Sequence, residues 1–206
     1  MDKLSLYEFL SFFLPGTLFC FFVYQILPES CFIFSSIENT GDALIFFALA
    51  LFTGLALHRI SFLLLHKSWY KQLIYTPVGD MLNNAPKGVF LDEAKEWIAH
   101  ENAEAEKLFD EAYYRLELEN KIDSAKAFQS TYFFLRNTFT GLVLLCLPFT
   151  VSFAKTHSIQ VGLLILLSSL VLAYLIRNMA LFYRGKMIER LFGIYRQLKN
   201  EQRNAP

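Results

Sequence analysis

The chain is poor in the residues that build covalent staples and catalytic sites. Only 3 of its 206 residues are cysteine, Cys20, Cys31 and Cys146. An odd count with no close spacing and no Cys-x-x-Cys is not a disulfide framework. There is no G-x-x-x-x-G-K or G-x-G-x-x-G phosphate loop and no G-x-S-x-G nucleophile elbow. Histidine occurs 4 times. His100 and Glu101 open like a zinc-protease motif, but Glu104 stands where the second histidine would be. Glu96, His100 and Glu104 share one helix face at four-residue spacing and offer metal-ligand chemistry. The plainer expectation is a solvated acidic face with i, i+4 contacts, so no metal and no cofactor is expected.

Net charge is also absent, with 19 basic residues against 19 acidic. Nucleic-acid binding therefore has no support. What the chain has in excess is hydrocarbon: 54% hydrophobic residues, 22 of them phenylalanine, with a mean hydropathy of +0.34. That places it among membrane proteins. Four runs are long enough for a bilayer, which needs about 20 residues at 1.5 Å each. They are residues 9–27, 43–65, 131–154 and 161–183.

Positive charge is nearly missing from alternate connections. One basic residue precedes the first run, ten lie from Arg59 to Arg136, and seven from Arg177 onward. The first outer loop has none and the second has only Lys155. The positive-inside rule then puts both termini and the central segment in the cytoplasm. The N-terminal run mimics a signal peptide, but no small-x-small site follows, so it reads as a retained anchor.

The dipeptide Arg-Asn occurs at the edges of the third and fourth runs, as Arg136-Asn137 and Arg177-Asn178. Antiparallel geometry puts Arg136 and Arg177 at one depth, near the inner headgroups. His58 and Arg59 belong to the same layer, with Glu8 as counter-charge. These groups either snorkel to lipid phosphate or line a polar vestibule, pair across subunits or bind an anionic headgroup. His58 at that depth is either an interfacial hydrogen-bonding residue or a proton-linked switch. Pro15 and Gly16 form a candidate hinge, because proline removes a helical hydrogen bond. Residues 4–14 would then lie along the inner surface, with Ser5, Glu8 and Ser11 facing water. Small residues thread the second run (Ala43, Ala48, Ala50, Gly54) and the fourth (Gly162, Ser169, Ala173), allowing close helix approach.

The fold expected is all-α: two membrane hairpins, residues 1–65 and 131–183, around a cytoplasmic hairpin at 66–130 and an extension at 184–206. Residues 76–88 read as a loop. Asp92 caps a helix that reaches Leu118, with an apolar stripe at Trp97, Ile98, Leu108, Phe109, Ala112 and Leu116. A turn at 119–123 leads into a helix that continues into the third run. The fourth run continues past Arg184, with helical spacing at Ile188, Leu191, Phe192, Tyr195 and Leu198. The acidic face at Glu101, Glu104 and Asp110 is the candidate partner surface.

The stretches "YEFLSFFLPGTLF" and "DSAKAFQSTYFFLRNTFTG" resemble small bacterial four-helix membrane proteins of antiphage defence systems, such as the membrane component of the Kiwa system. The resemblance implies an oligomeric inner-membrane protein. It would sense phage attachment or membrane perturbation and signal to a soluble cytoplasmic partner. No catalytic residue carries over. The expected function is a non-enzymatic sensor or scaffold. The alternatives are a pore-forming or depolarising effector, with the arginine layer at its inner mouth, and a membrane enzyme of unrecognised type.

Overall fold

The structure is a computed structural model that describes residues 6–27, 39–84 and 105–203. Among the described residues there are seven helices and no strand: α1 Leu6–Ile26, α2 Thr40–Leu64, α3 Ser68–Ile74, α4 Val78–Asn84, α5 Ala105–Leu118, α6 Asp123–Thr156 and α7 Ile159–Arg203. They group into two compact units. One comprises Met1–Ile74 with Ser130–Ala180, the other Tyr75–Gln129 with Leu181–Pro206.

In the first unit, α2, α6 and α7 are each long and apolar enough to cross a membrane. Their side chains show which solvent they suit. Phe52 is 70% exposed, Leu164 65% and Leu167 64%. An apolar surface spread around a helix and left uncovered by protein is stable in hydrocarbon, not in water. In α1 the apolar stretch is the shorter Ser11–Ile26.

Helices α1 and α2 meet backbone to backbone. A Cβ built on Gly16 would overlap the Ala50 carbonyl oxygen, and one on Gly54 would overlap the Phe12 carbonyl oxygen. Of the small residues threading α2, Ala50 and Gly54 are buried at this crossing, whereas Ala43 is exposed. Lipid gives helices no hydrophobic drive to associate, so close van der Waals approach between small residues replaces it. The Cys20 thiol lies 3.4 Å from the Thr53 hydroxyl in the same interface. At the turn between α6 and α7 the same device recurs, where Gly162 packs against Ala154.

The second unit has an apolar core of its own. Leu108, Ala112 and Leu116 from α5 pack with Met187, Ile188, Leu191, Phe192, Tyr195 and Leu198 from α7 and Val78 from α4. The α5 residues recur at four-residue spacing and the α7 residues at three and four, which builds a stripe on each helix. Trp97 and Ile98 of the expected α5 stripe, and the Asp92 cap, lie outside the described residues. Helix α5 stops at Asn120, which takes a left-handed φ of 55°. Asparagine tolerates that region, and the turn lets Lys121 N–H reach the Leu116 carbonyl at 3.0 Å, satisfying one of the last free carbonyls.

One expectation is corrected here. Residues 76–88 read as a loop, yet α4 forms at Val78–Asn84. Pro77 is tolerated at a helix start, where its missing N–H costs nothing. The Val78 N–H donates to the Glu106 carboxylate of α5 at 2.9 Å. A tertiary cap thus supports a turn whose local composition argues for coil.

Substituting Gly16 or Gly54 with alanine should lower the melting temperature of the detergent-solubilised protein. Overpacking of this kind costs about 1–3 kcal/mol. Gly185→Ala is the control, because a Cβ there meets nothing within 4 Å and should add up to about 1 kcal/mol of helix stability. Equal behaviour of all three variants would show that the α1–α2 crossing is not tight.

Candidate functional site

The polar residues of the first unit are gathered, not scattered. Proline at position 15 has no N–H, so the carbonyl four residues earlier, on Ser11, loses its helical donor. Helix α1 nevertheless runs through Pro15, and Pro15 is fully buried. The missing donor comes from another helix: Asn137 Nδ2 of α6 donates to the Ser11 carbonyl at 3.2 Å. Ser11, expected to face water, is 1% exposed. The correction has a clear cause. A carbonyl freed by proline in apolar surroundings must find a donor, and the helix packs on α6 to reach it.

Asn137 has no exposed surface and uses both ends of its amide. Its Oδ1 accepts from the Ser61 hydroxyl of α2 at 3.1 Å. The same hydroxyl lies 2.8 Å from the His58 carbonyl, so its one proton is shared. One amide thereby ties α1, α2 and α6 together. The orientation of the amide follows from the Ser11 carbonyl, which needs a donor.

His58 and Arg136 are brought into contact. Arg136 Nη2 lies 3.1 Å from His58 Nδ1, and Asn137 Nδ2 lies 3.4 Å from the same nitrogen. Guanidinium and amide nitrogens only donate. His58 Nδ1 therefore accepts, and the ring proton is on Nε2. Phe12 and Phe133 set their edges against the imidazole, at centroid distances of 4.8 and 5.2 Å. The Arg136 guanidinium is 4.8 Å from the Phe133 ring centroid and 5.6 Å from that of Tyr132, within cation–π range. Its side chain is 3% exposed. It is sealed within the helix packing and does not reach outward.

The cluster extends onto α3. Tyr70 is fully buried, and its hydroxyl lies 2.7 Å from Thr140 Oγ1. Thr140 spends its own proton on the Arg136 carbonyl at 2.8 Å, so Tyr70 is the donor. Burial pushes the Tyr70 phenol up to about 12 against the opposing bond to Thr140, so it stays protonated through the physiological range. Tyr132 donates to the Ile74 carbonyl at 3.2 Å.

The other residues singled out in the sequence do not join this cluster by any described contact. Arg59 is exposed. Arg177 is half-buried and hydrogen-bonds its neighbour Asn178 at 3.2 Å. The two Arg-Asn dipeptides thus differ: one binds across helices, the other closes on itself. The Glu8 side chain, Glu101 and Glu104, with Glu96 and His100, lie outside the described residues. Asp110 is exposed on α5, next to Glu111, which accepts from the Tyr195 hydroxyl at 2.8 Å. The sequence reading met Asn137 only as half of the Arg-Asn repeat and passed over Ser61, Tyr70 and Thr140. The signal that points to Asn137 is Pro15, which predicts a free carbonyl and so a polar partner on some other apolar helix.

The second unit has two polar features. Arg184, 6% exposed, donates through Nε to the Thr76 carbonyl at 2.9 Å and stacks 3.8 Å from the Tyr75 ring centroid. A groove of about 340 Å³ lies between α6 and α7, lined by Ser124, Phe128, Lys186, Glu189, Arg190 and Gln197 among others.

Asn137→Leu keeps the volume and strands the Ser11 carbonyl, while the Ser61 hydroxyl keeps its bond to the His58 carbonyl. The stranded carbonyl costs about 1–3 kcal/mol, read as a lower melting temperature. Pro15→Ala restores a backbone N–H to the Ser11 carbonyl, so it should rescue part of that loss. A double-mutant cycle should show coupling on the order of 1 kcal/mol. Simple additivity would show that the proline and the amide do not compensate each other. No protein-family model, curated protein or solved structure matches this chain.

Proposed function

We propose that the chain is a four-span inner-membrane sensor or scaffold that carries changes in the bilayer to a cytoplasmic helical bundle and its soluble protein partner, as a homo-oligomer in antiphage defence or envelope stress. The observation that carries this is the continuity of the long helices. Helix α7 runs for 45 residues without a break, about 68 Å, while the hydrocarbon core is about 30 Å thick. The same helix holds the exposed leucines of its first half and the core residues Met187 to Leu198 of its second. Helix α6 does likewise over 34 residues. In this proposal the unbroken helix is the route by which a change in its apolar half reaches its polar half.

The fourth span in this proposal is α1, shorter in apolar length than the others but held to α2 by the glycine crossing and to α6 by Asn137. The distribution of basic residues supports cytoplasmic termini. The resemblance of the two quoted stretches to defence-system membrane proteins supports the biological setting. The partner surface proposed is the exposed face of α5 at Asp110, together with Glu101 and Glu104, which lie outside the described residues. A pore mouth built on Arg136 is disfavoured, because its guanidinium is buried against His58 and aromatic rings and does not line a void.

The first test is the mass of the tagged particle extracted into nanodiscs from cells carrying the gene's native neighbourhood. A homo-oligomer with a stoichiometric soluble protein is expected, and its binding should fall on Asp110→Lys. A bare assembly that conducts ions in liposomes, with selectivity altered by Arg136→Glu, would replace the scaffold with a pore. A monomer with nothing bound would remove both. Topology is read separately by single cysteines: a label applied outside intact cells should reach Thr156→Cys and miss Arg115→Cys.

A further inference from the structure

A cavity of about 450 Å³ opens between α1, α6 and α7, with Phe19, Thr138, Gly141, Phe149, Ser169 and Leu172 among the residues that line it. We infer that this groove holds a single fatty-acyl chain of a membrane phospholipid; the inference rests on α6 and α7 crossing a bilayer, not on the sensor function.

Two observations point to the occupant. The first is chemical. Of the three hydroxyls among the lining residues, two are engaged locally: Thr138 donates to the Phe134 carbonyl at 2.8 Å and Ser168 to the Leu164 carbonyl at 2.8 Å. The wall thus presents aromatic and aliphatic carbon, and a ligand with internal polar groups would leave them unpaired. The second is length. The lining runs from Thr138 to Phe149 on α6 and from Ile165 to Ile176 on α7. Eleven helical steps are about 17 Å, close to half of the roughly 30 Å hydrocarbon thickness. That is the reach of a chain from one leaflet.

The groove is built into the fold. At the turn, Gly162 packs on Ala154 and draws α6 and α7 together. On the opposite wall, Pro15 and Phe19 of α1 are held in place by the bond from Asn137 to the Ser11 carbonyl. A cavity of this size left empty forfeits dispersion contacts along its walls. The medium that surrounds it supplies acyl chains at solvent concentration.

The test uses the full-length protein in nanodiscs of phosphatidylcholine that carries a photoreactive diazirine midway along one acyl chain. After irradiation and digestion, adducts should concentrate on Leu142, Leu145, Cys146 and Phe149 and on Ser169 and Leu172. They should be several-fold fewer on Leu164 and Leu167, which face outward. Native mass spectrometry of the detergent-extracted protein should retain one phospholipid per protomer. Ser169→Phe should abolish that retention, and Leu167→Phe, exposed at 64%, should preserve it. Adducts spread evenly over all outward residues, no retained phospholipid, or retention unchanged by Ser169→Phe would each overturn the inference. So would adducts that give way to cross-links between copies at Cys146. The wild-type adduct map decides the matter even if Ser169→Phe fails to assemble. Retention of the protein in carbonate-washed membranes reports separately on whether the helices are membrane-embedded.

Discussion

The bond from Asn137 to the Ser11 carbonyl is the constraint on which the first unit turns. A proline inside an apolar helix frees a carbonyl that apolar surroundings cannot satisfy, and a buried polar group left unpaired costs about 1–3 kcal/mol. Satisfying that carbonyl requires a donor at one height and one rotation on a neighbouring helix. Asn137 fixes both, and its other end fixes Ser61 and therefore α2. His58, Arg136, Thr140 and Tyr70 follow from that placement, because they flank Asn137 or face it. The glycine crossing at Gly16 and Gly54 sits a few residues away and removes the remaining freedom of α1.

The burial of Arg136 is intelligible only in this setting. A guanidinium taken out of water is destabilising unless geometry and hydrogen bonding compensate it. The imidazole lone pair of His58 and the faces of Phe133 and Tyr132 offer that compensation from two sides. The residue next door makes the arrangement specific. Were Asn137 apolar, α6 could rotate to bring Arg136 toward headgroups, as a snorkelling arginine would. With the amide committed to α1 and α2, rotation breaks three contacts at once.

Much of the helical layout was legible in the sequence because it follows from composition and periodicity. The apolar runs gave α2, α6 and α7; the unbroken spacing through Arg136 and Arg184 gave the long extensions; residues 119–123 gave the turn after α5. What was not legible depends on partners far apart in the chain. Helix α4 forms because Glu106 caps Val78, 28 residues away. Ser11 is buried because Asn137 reaches its carbonyl, 126 residues away. The Arg-Asn repeat was visible as a repeat, but nothing local says that Arg136 turns inward while Arg177 pairs with its own neighbour. For the candidate partner face the exposed Asp110 is seen, and the groove at Lys186, Glu189 and Arg190 became apparent only from the packing of α6 against α7.

The distance between Pro15 and its remedy has a consequence for biosynthesis. The chain is made from its N-terminus, so α1 and α2 exist before Asn137 does. Until the chain has grown 126 residues beyond Ser11, its carbonyl lacks its native donor. The glycine crossing can form early, but the N-terminal hairpin cannot reach its final state alone. A truncated product ending before α6 would leave the Ser11 carbonyl without the Asn137 amide, and incompletely folded species of that kind are what cellular chaperones and proteases act on.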